Sequence, residues 1–225
     1  MLVTRILTAA IGIPVLVGVI WVGGALLAAV AALAVFVAAL EFAKARDAMT
    51  QPLAVLGAVC AAALPPIALS CESYLLGAIV ASLLLLSAAM TLLGDPQQNL
   101  ESWLWAVASV LYFGALASYF VLLRESPDGR AWVFFTCITV WVADTGAYFV
   151  GRLTGRRLIK RGMSPSISPA KTWEGAFGSA VAGFAIVFAL DAAFDLGLAL
   201  EHRIALGLLL PPVIAFGDQI GRAHV

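Results

Sequence analysis

A run of polar residues in the last third of the chain, Ser168-Pro-Ala-Lys-Thr-Trp-Glu-Gly175, carries groups that bind phosphates. It offers hydroxyls from Ser168 and Thr172, the ammonium of Lys171 and the carboxylate of Glu174, directly before a predicted apolar helix. Backbone N–H groups and the positive end of the helix dipole attract anions at such a position. The run therefore suits a phosphate or a metal-bound polyphosphate. It equally suits a helix N-terminal cap, in which Thr172 accepts N–H bonds and Glu174 favours the dipole, and the spacing leaves both interpretations open.

Two aspartates add carboxylates to this candidate site. Asp144 lies inside an apolar segment, where an ionised group is costly unless it faces water, a cation or a partner. Asp218 follows Gly217 at the end of the last apolar segment. Two acids that share Mg²⁺ beside a phosphate-binding lysine make a phosphoryl or nucleotidyl transfer site. The alternative for Asp144 is a buried acid that pairs with an arginine or with Thr145 and serves helix packing.

The residues that follow Asp144 have less specific roles. Gly146 and Gly151 permit close approach of another backbone or of a ligand, and helix packing explains them as well as binding does. Tyr148 and Phe149 have the character of interface aromatics, and we assign them no chemistry.

The elements that must position these residues are membrane helices. The chain has 225 residues, of which 63% are hydrophobic and 12% charged, and its mean hydropathy is +1.03. A soluble domain is about 45–50% apolar and about 25% charged, so the composition excludes a soluble globule, a secreted disulfide scaffold and a disordered chain. Uninterrupted apolar runs such as 83–86 exclude a transmembrane β-barrel. We predict an all-α polytopic integral membrane protein.

Eight apolar segments are the candidate membrane spans. They cover residues 6–22, 25–40, 53–70, 74–93, 103–123, 131–150, 175–194 and 204–216. The second and eighth are short for a bilayer crossing. Five prolines inside segments are expected to kink or break helices: Pro14, Pro65, Pro66, Pro211 and Pro212.

Basic residues predict the orientation, since cytoplasmic loops are enriched in Lys and Arg. With the N-terminus inside, ten basic residues fall on the cytoplasmic side, among them those of the long loop 151–174. Three fall on the outer side: Arg124, Arg130 and Arg203. The candidate site is therefore expected at the cytoplasmic face. The loop's basic cluster is expected mainly to bind anionic lipid head groups, and it comprises Arg156, Arg157, Lys160 and Arg161.

The same motifs resemble those of a known enzyme family. Ala143-Asp-Thr-Gly-Ala-Tyr-Phe-Val-Gly-Arg152, then Ile167-Ser-Pro-Ala-Lys-Thr-Trp-Glu-Gly175, then Phe216-Gly-Asp218 are similar to the phosphatidate cytidylyltransferases, also called CDP-diacylglycerol synthases. The specific part of the resemblance runs from 141 to 218. Ala170 departs from the pattern, because relatives often have another lysine there.

The resemblance implies the reaction of CTP with phosphatidic acid to give CDP-diacylglycerol and pyrophosphate, with Mg²⁺, in phospholipid biosynthesis. It implies that Asp218 is a Mg²⁺ ligand and that Asp144 is a second acidic site residue, either a ligand of the metal or a water-mediated partner. These two aspartates and Lys171 would be the catalytic residues. Ser168, Lys171 and Thr172 would hold the CTP phosphates, and Glu174 would orient Lys171 or the metal. The expected partners are CTP, phosphatidic acid and membrane lipids. No nucleic acid is expected, because the net charge is zero, and a homodimer is left open.

The C-terminus departs from the family pattern. Relatives continue after Gly-Asp with a basic cytoplasmic segment, further acidic motifs and a final span. The residues after Gln219 match one reading frame of a common sequencing adapter, so we expect Asp218 to be the last genuine residue and the gene to be truncated. The single transmembrane domain 1–225 would then comprise N-terminal spans 1–130, catalytic spans and a cytoplasmic loop 131–218, and a non-native tail 219–225.

Other functions are also compatible with these patterns. A CTP-dependent polyprenol kinase or an archaeal-type cytidylyltransferase would differ in the acceptor pocket, which the sequence does not display. An ion-coupled transporter would use Asp144 to bind substrate or a cation beside broken helices. An inactive fragment is the third alternative. Compactness and a bias to Ala, Leu and Val suggest a bacterial inner membrane.

Overall fold

The computed structural model describes residues 2–44, 52–93, 96–155, 159, 162–163 and 171–222, and these residues form helices joined by short connections. The helices are α1 (Leu2–Val22), α2 (Gly24–Lys44), α3 (Pro52–Ser70), α4 (Leu75–Leu92), α5 (Pro96–Ala108), α6 (Leu116–Glu125), α7 (Gly129–Thr154), α8 (Trp173–Phe194) and α9 (Leu200–Arg222). A 3₁₀ turn at Glu72–Tyr74 precedes α4, and a π-helical segment at Ser109–Ala115 joins α5 to α6. The described residues contain no strand. The all-α prediction is confirmed.

Six of the described helical stretches are long and apolar enough to cross a bilayer. They are Gly24–Lys44, Pro52–Ser70, Glu72–Leu92, Leu100–Glu125, Gly129–Thr154 and Trp173–Phe194. Large apolar side chains on them are exposed, such as Leu76 at 72% and Phe177 at 70%, as lipid-facing positions require. The chain is therefore an integral membrane protein, whereas eight spans remain a prediction.

The expectation that the second segment is too short was wrong, because α2 has 21 residues and is apolar enough to cross a bilayer. The eighth segment lies in α9, which has 23 residues but is not among the described helices that are long and apolar enough to cross. Of the expected kinks or breaks at proline, the structure shows no break in the described helices, since α1 continues through Pro14 and α3 through Pro65 and Pro66. α9 likewise continues through its Pro-Pro pair. A proline removes one backbone donor, and the turns on either side still hold the helix.

The chain divides into two compact units, Met1–Arg130 and Ala131–Val225. In the N-terminal unit α3 is the central helix, and its side chains Leu53, Ala61 and Leu64 are almost fully buried. Small residues let its neighbours approach closely: a Cβ on Gly57 would lie 2.6 Å from the Ala106 Cβ. Such close backbone packing drives helix association where lipid removes the hydrophobic effect.

Charged side chains of α6 fix the turn between α1 and α2. Arg124 donates from Nε to the Ile20 carbonyl at 2.7 Å and from Nη2 to the Trp21 carbonyl at 3.0 Å. Glu125 accepts the Gly24 N–H at 2.9 Å. A cation at the C-terminal end of α1 and an anion at the N-terminal end of α2 each complement the helix dipole.

In the C-terminal unit α7 and α8 cross at glycines. A Cβ on Gly146 would lie 2.5 Å from the Ala182 Cβ, and one on Gly178 would lie 2.5 Å from the Val150 Cβ. Toward the other end of the crossing, a Cβ on Gly151 would lie 3.3 Å from the Thr172 hydroxyl oxygen. Residue numbers rise along α7 while those of their contacts on α8 fall, so the two helices are antiparallel. The packing interpretation of Gly146 is confirmed.

A buried ion pair fixes the turn between α8 and α9. Asp191 is 5% exposed, accepts the Leu198 N–H at 3.0 Å and pairs with Arg203 Nε at 3.1 Å. Asp195 and Gly197 in the turn have φ values of 52° and 64°. The connection between these two helices is thus held by side chains as well as by its backbone.

Candidate active site

A cavity of about 420 Å³ lies among α7, α8 and α9. One face of α7 forms part of its wall, with side chains spaced three and four residues apart. These residues are Asp144, Ala147, Tyr148, Gly151 and Arg152. Asp144 is exposed to the cavity and is not buried in a helix interface. The packing alternative assumed a buried aspartate, and the structure does not show that burial.

The first turn of α8 forms the facing wall. Thr172 is its N-cap, and the Thr172 hydroxyl oxygen accepts the Gly175 N–H at 3.1 Å. Thr172, Gly175, Ala176 and Ser179 all line the cavity. The sequence interpretation of Thr172 as a helix cap is confirmed. Because first-turn N–H groups and the positive dipole end lie at the cavity wall, this wall also favours a bound anion.

Lys171 brings a cation to the same cavity. Its ammonium donates to the Ala215 carbonyl of α9 at 3.1 Å, and its carbonyl accepts the Met163 N–H at 3.0 Å. The lysine is therefore tied to the last part of α9 and to the loop that follows α7. Asp218 is the third residue after Ala215 on α9, but its side chain lies outside the described residues.

The remaining predicted residues have different placements. Glu174 is 6% exposed, and its Oε1 accepts the Ile159 N–H at 2.9 Å. Glu174 is not among the described residues that line the cavity. Its hydrogen bond to Ile159 joins it to the loop that precedes α8. Ser168 lies outside the described residues, as does the basic cluster at 156, 157, 160 and 161.

Sequence reasoning missed several residues of the cavity wall, among them an aromatic and a basic one. Tyr148 and Arg152 line it, and Arg152 donates from Nη1 to the Tyr148 hydroxyl at 2.6 Å. Their separation from Asp144 by four and eight residues was the signal, because it places all three on one helical face. An aromatic and an arginine near a helix end are also ordinary interface residues, and this hid the signal.

The fold and the cavity define a polytopic membrane protein with an acid, a lysine and a capped helix start around one cavity. The profile of the cytidylyltransferase family matches residues 3–220. The chain belongs to this family and is a nucleotidyltransferase, as the motifs predicted.

Individual relatives agree with the family match. The chain is 30% identical to the phosphatidate cytidylyltransferase of Staphylococcus epidermidis over 96% of its own length and 81% of the relative's. It is 30% identical to the Bacillus subtilis phosphatidate cytidylyltransferase over 51% of its length and 42% of that protein. The match to the Mycobacterium bovis phosphatidate cytidylyltransferase is 37% identical over 46% of the chain and 32% of the relative. Two of these three matches thus span less than half of the relative.

Proposed function

We propose that this protein transfers the cytidylyl group of CTP to phosphatidic acid and so makes CDP-diacylglycerol for phospholipid biosynthesis. The observation that carries the proposal is the cavity in which Asp144, Lys171 and the capped start of α8 face one space. The family match over 3–220 and the relatives' names support the choice of reaction.

In the proposed reaction a phosphate oxygen of phosphatidic acid attacks the α-phosphorus of CTP. A new phosphorus–oxygen bond forms, the bond from the α-phosphorus to the bridging oxygen breaks, and pyrophosphate leaves with the electron pair. The attacking phosphate is already an anion near neutral pH, so no general base is needed. The work of the chain is to position the two anions and to offset their charge.

The wall formed by α8 is suited to the triphosphate. Lys171 would contribute an ammonium, and the first-turn N–H groups after Thr172 would contribute hydrogen bonds. We also propose Ser168 as a phosphate contact. For Glu174 we propose an indirect role: it fixes the loop that precedes Lys171, because it binds the Ile159 N–H.

Among the described residues of the cavity lining, one carboxylate, that of Asp144, suits a hard divalent cation. Asp144 presents carboxylate oxygens, which are the ligands that Mg²⁺ prefers, and we propose that Asp144 and Asp218 hold this ion. Mg²⁺ supplies neutralisation of phosphate charge when it is bound. The ammonium of Lys171, on the facing side of the cavity, would add to this neutralisation of phosphate charge.

We further propose that the protein lies in a bacterial inner membrane with the cavity open to the cytoplasm. Bacterial relatives support the first part, and the ten-to-three distribution of basic residues supports the second. CTP would reach the cavity from the cytoplasm, whereas phosphatidic acid would reach it from the bilayer.

The test is CTP-dependent labelling of phosphatidic acid in lipid vesicles by the purified protein expressed from a gene completed at its 3′ end. We expect Lys171→Ala and Asp218→Asn each to lower turnover by about 100-fold or more while the protein still inserts into the membrane. The matched control is Lys44→Ala, which removes an exposed cation from the last turn of α2, outside the cavity lining. We expect it to retain turnover.

Three outcomes would contradict the proposal. Full turnover by both variants would refute the site. Release of CDP with a phosphorylated polyprenol would instead identify a lipid kinase, because the γ-phosphate would then be the group transferred. Solute uptake into vesicles without CTP consumption would identify a transporter.

A further inference from the structure

Arg152 and Tyr148 form a hydrogen-bonded pair at the cavity wall. Arg152 Nη1 donates to the Tyr148 hydroxyl at 2.6 Å, and the guanidinium carbon lies 5.9 Å from the Tyr148 ring centroid. Both side chains are exposed, and both line the cavity. The planar guanidinium has five N–H donors, so after this bond it still has donors to offer.

The pair lies at the border between the cavity and the surface that faces lipid. Phe149 and Leu153, each one residue further along α7, are 57% and 67% exposed. Large exposed apolar side chains on a membrane helix face acyl chains. One residue corresponds to a rotation of about 100° around a helix, so the lipid-facing surface directly adjoins the surface that carries Arg152. A lipid can therefore keep its acyl chains in the bilayer while its head group reaches this arginine.

Lys171 is the second basic residue among the described residues that line the cavity. It precedes α8, and its ammonium donates a hydrogen bond to the Ala215 carbonyl of α9. It lies beside the helix N-terminus, the part of the wall that suits a polyphosphate. Arg152 belongs to the C-terminal turn of α7, beside the lipid-facing surface. The two cations thus match the two directions from which a nucleotide and a lipid would arrive.

We propose that Arg152 binds the phosphate monoester of the acceptor lipid and that Tyr148 is a positioning residue that holds the guanidinium in place. The inference deepens the proposed function and rests on it. An arginine fork donates two parallel hydrogen bonds to two oxygens of one phosphate, and a terminal monoester presents more free oxygens than a phosphodiester head group does. Arg152 thereby selects a phosphate monoester among the bilayer lipids.

The first test separates the two substrates kinetically. Initial rates are measured with the purified full chain in mixed micelles, first at varied phosphatidic acid with saturating CTP, then at varied CTP with saturating phosphatidic acid. For Arg152→Gln we expect the KM for phosphatidic acid to rise roughly 10- to 100-fold, because about two charge-assisted hydrogen bonds are lost. The KM for CTP should stay within about twofold. Arg152→Lys should rescue the KM for phosphatidic acid only in part, because it keeps the charge and loses the fork.

Tyr148→Phe tests the positioning role. It keeps the ring under the guanidinium and removes the hydroxyl that Arg152 binds. We expect a rise of roughly threefold to tenfold in the KM for phosphatidic acid with kcat unchanged within about twofold, since one neutral acceptor is lost. The control Lys44→Gln removes an exposed cation that is not among the described residues of the lining, and we expect it to leave both KM values unchanged.

Two kinetic results would overturn the inference. An unchanged KM for phosphatidic acid in Arg152→Gln would show that the arginine does not bind the lipid. A rise confined to the KM for CTP would show that it binds the nucleotide phosphates instead.

A binding measurement makes failure of the inference distinguishable from failure of the proposed function. Native mass spectrometry counts dioleoyl phosphatidic acid or dioleoyl phosphatidylcholine retained by the detergent-solubilised chain. We expect the unaltered chain to retain phosphatidic acid over phosphatidylcholine and Arg152→Gln to lose that preference. If the preference depends on Arg152 but the chain does not turn over CTP, the proposed function fails and the monoester site stands. If the unaltered chain shows no preference, the inference is overturned.

Discussion

Replacing Gly146 by alanine should disturb the crossing of α7 and α8 that supports the cavity. The new Cβ would lie 2.5 Å from the Ala182 Cβ and 2.8 Å from the Gly178 carbonyl oxygen. Carbon atoms in van der Waals contact are about 3.5–4.0 Å apart, so the helices must separate by about 1 Å at this point. The neighbours cannot simply turn aside, because one is a backbone atom and the other is a side chain with no rotatable end.

This separation should lower both stability and turnover. Overpacking of this kind costs about 1–3 kcal/mol of unfolding free energy. Asp144 lies two residues before Gly146 on α7, whereas Thr172 begins α8, so the separation also moves the two cavity walls apart. A displacement of about 1 Å in a reacting constellation can cost about 100-fold in rate. We expect Gly146→Ala to lose about that factor in turnover.

Unfolding is followed by titration with SDS in mixed micelles, and turnover by CTP-dependent labelling of phosphatidic acid. The matched control is Gly77→Ala in α4, where a new Cβ would meet no atom within 4 Å. Alanine has the higher helix propensity, so the control should be as stable as the unaltered chain or slightly more stable. It should also keep full turnover.

Two results would refute the reasoning. Unchanged stability and turnover in Gly146→Ala would mean that α7 and α8 do not pack this closely in the membrane. Reduced stability with full turnover would mean that the crossing holds the fold together without setting the distance between the cavity walls.

Two further substitutions test side chains that fix connections in the C-terminal unit. Thr172→Ala removes the acceptor of the Gly175 N–H and should cost about 1 kcal/mol of unfolding free energy. The control Thr172→Ser keeps the hydroxyl and should retain stability. If the two variants unfold equally in SDS, the cap does not stabilise the helix. Asp191→Ala removes the partner of both Arg203 and the Leu198 N–H and should cost about 2–4 kcal/mol in the same titration. Arg203→Ala leaves the buried Asp191 carboxylate without its cation and should cost a similar amount, about 2–4 kcal/mol, so an unchanged stability in this variant would contradict the account.

Much of the fold could be predicted because membrane helices follow from apolar length. All eight predicted segments lie largely within helices of the structure. The ends were less predictable: α2 reaches Lys44 and α9 reaches Arg222 because helical hydrogen bonding continues through polar residues that hydropathy treats as a boundary. No described helix ends at an internal proline, since a single missing donor does not end a long helix.

The candidate site was predictable only where a residue is unusual for its surroundings. Asp144 and Lys171 stand out because charge is rare in an apolar chain, and the structure places both along one cavity. Arg152 does not stand out, since arginine is common at helix ends. The contact of Glu174 was unpredictable for a different reason. Its carboxylate accepts the Ile159 N–H, and the spacing of residues in the sequence does not show which part of the loop after α7 lies beside it.

The three arginines predicted on the outer side bear on the orientation of the chain. An arginine on that side opposes the predicted orientation, so its presence there requires a separate cause. The structure supplies a cause for each. Arg124 caps the end of α1, Arg130 lies 4.5 Å from the ring centroid of Trp21, and Arg203 pairs with a buried aspartate of α8. An arginine that the fold requires at its position is weak evidence against the orientation with the N-terminus inside. The basic residues on the other side, nine without Arg222 of the expected non-native tail, therefore outweigh these three by more than their number indicates.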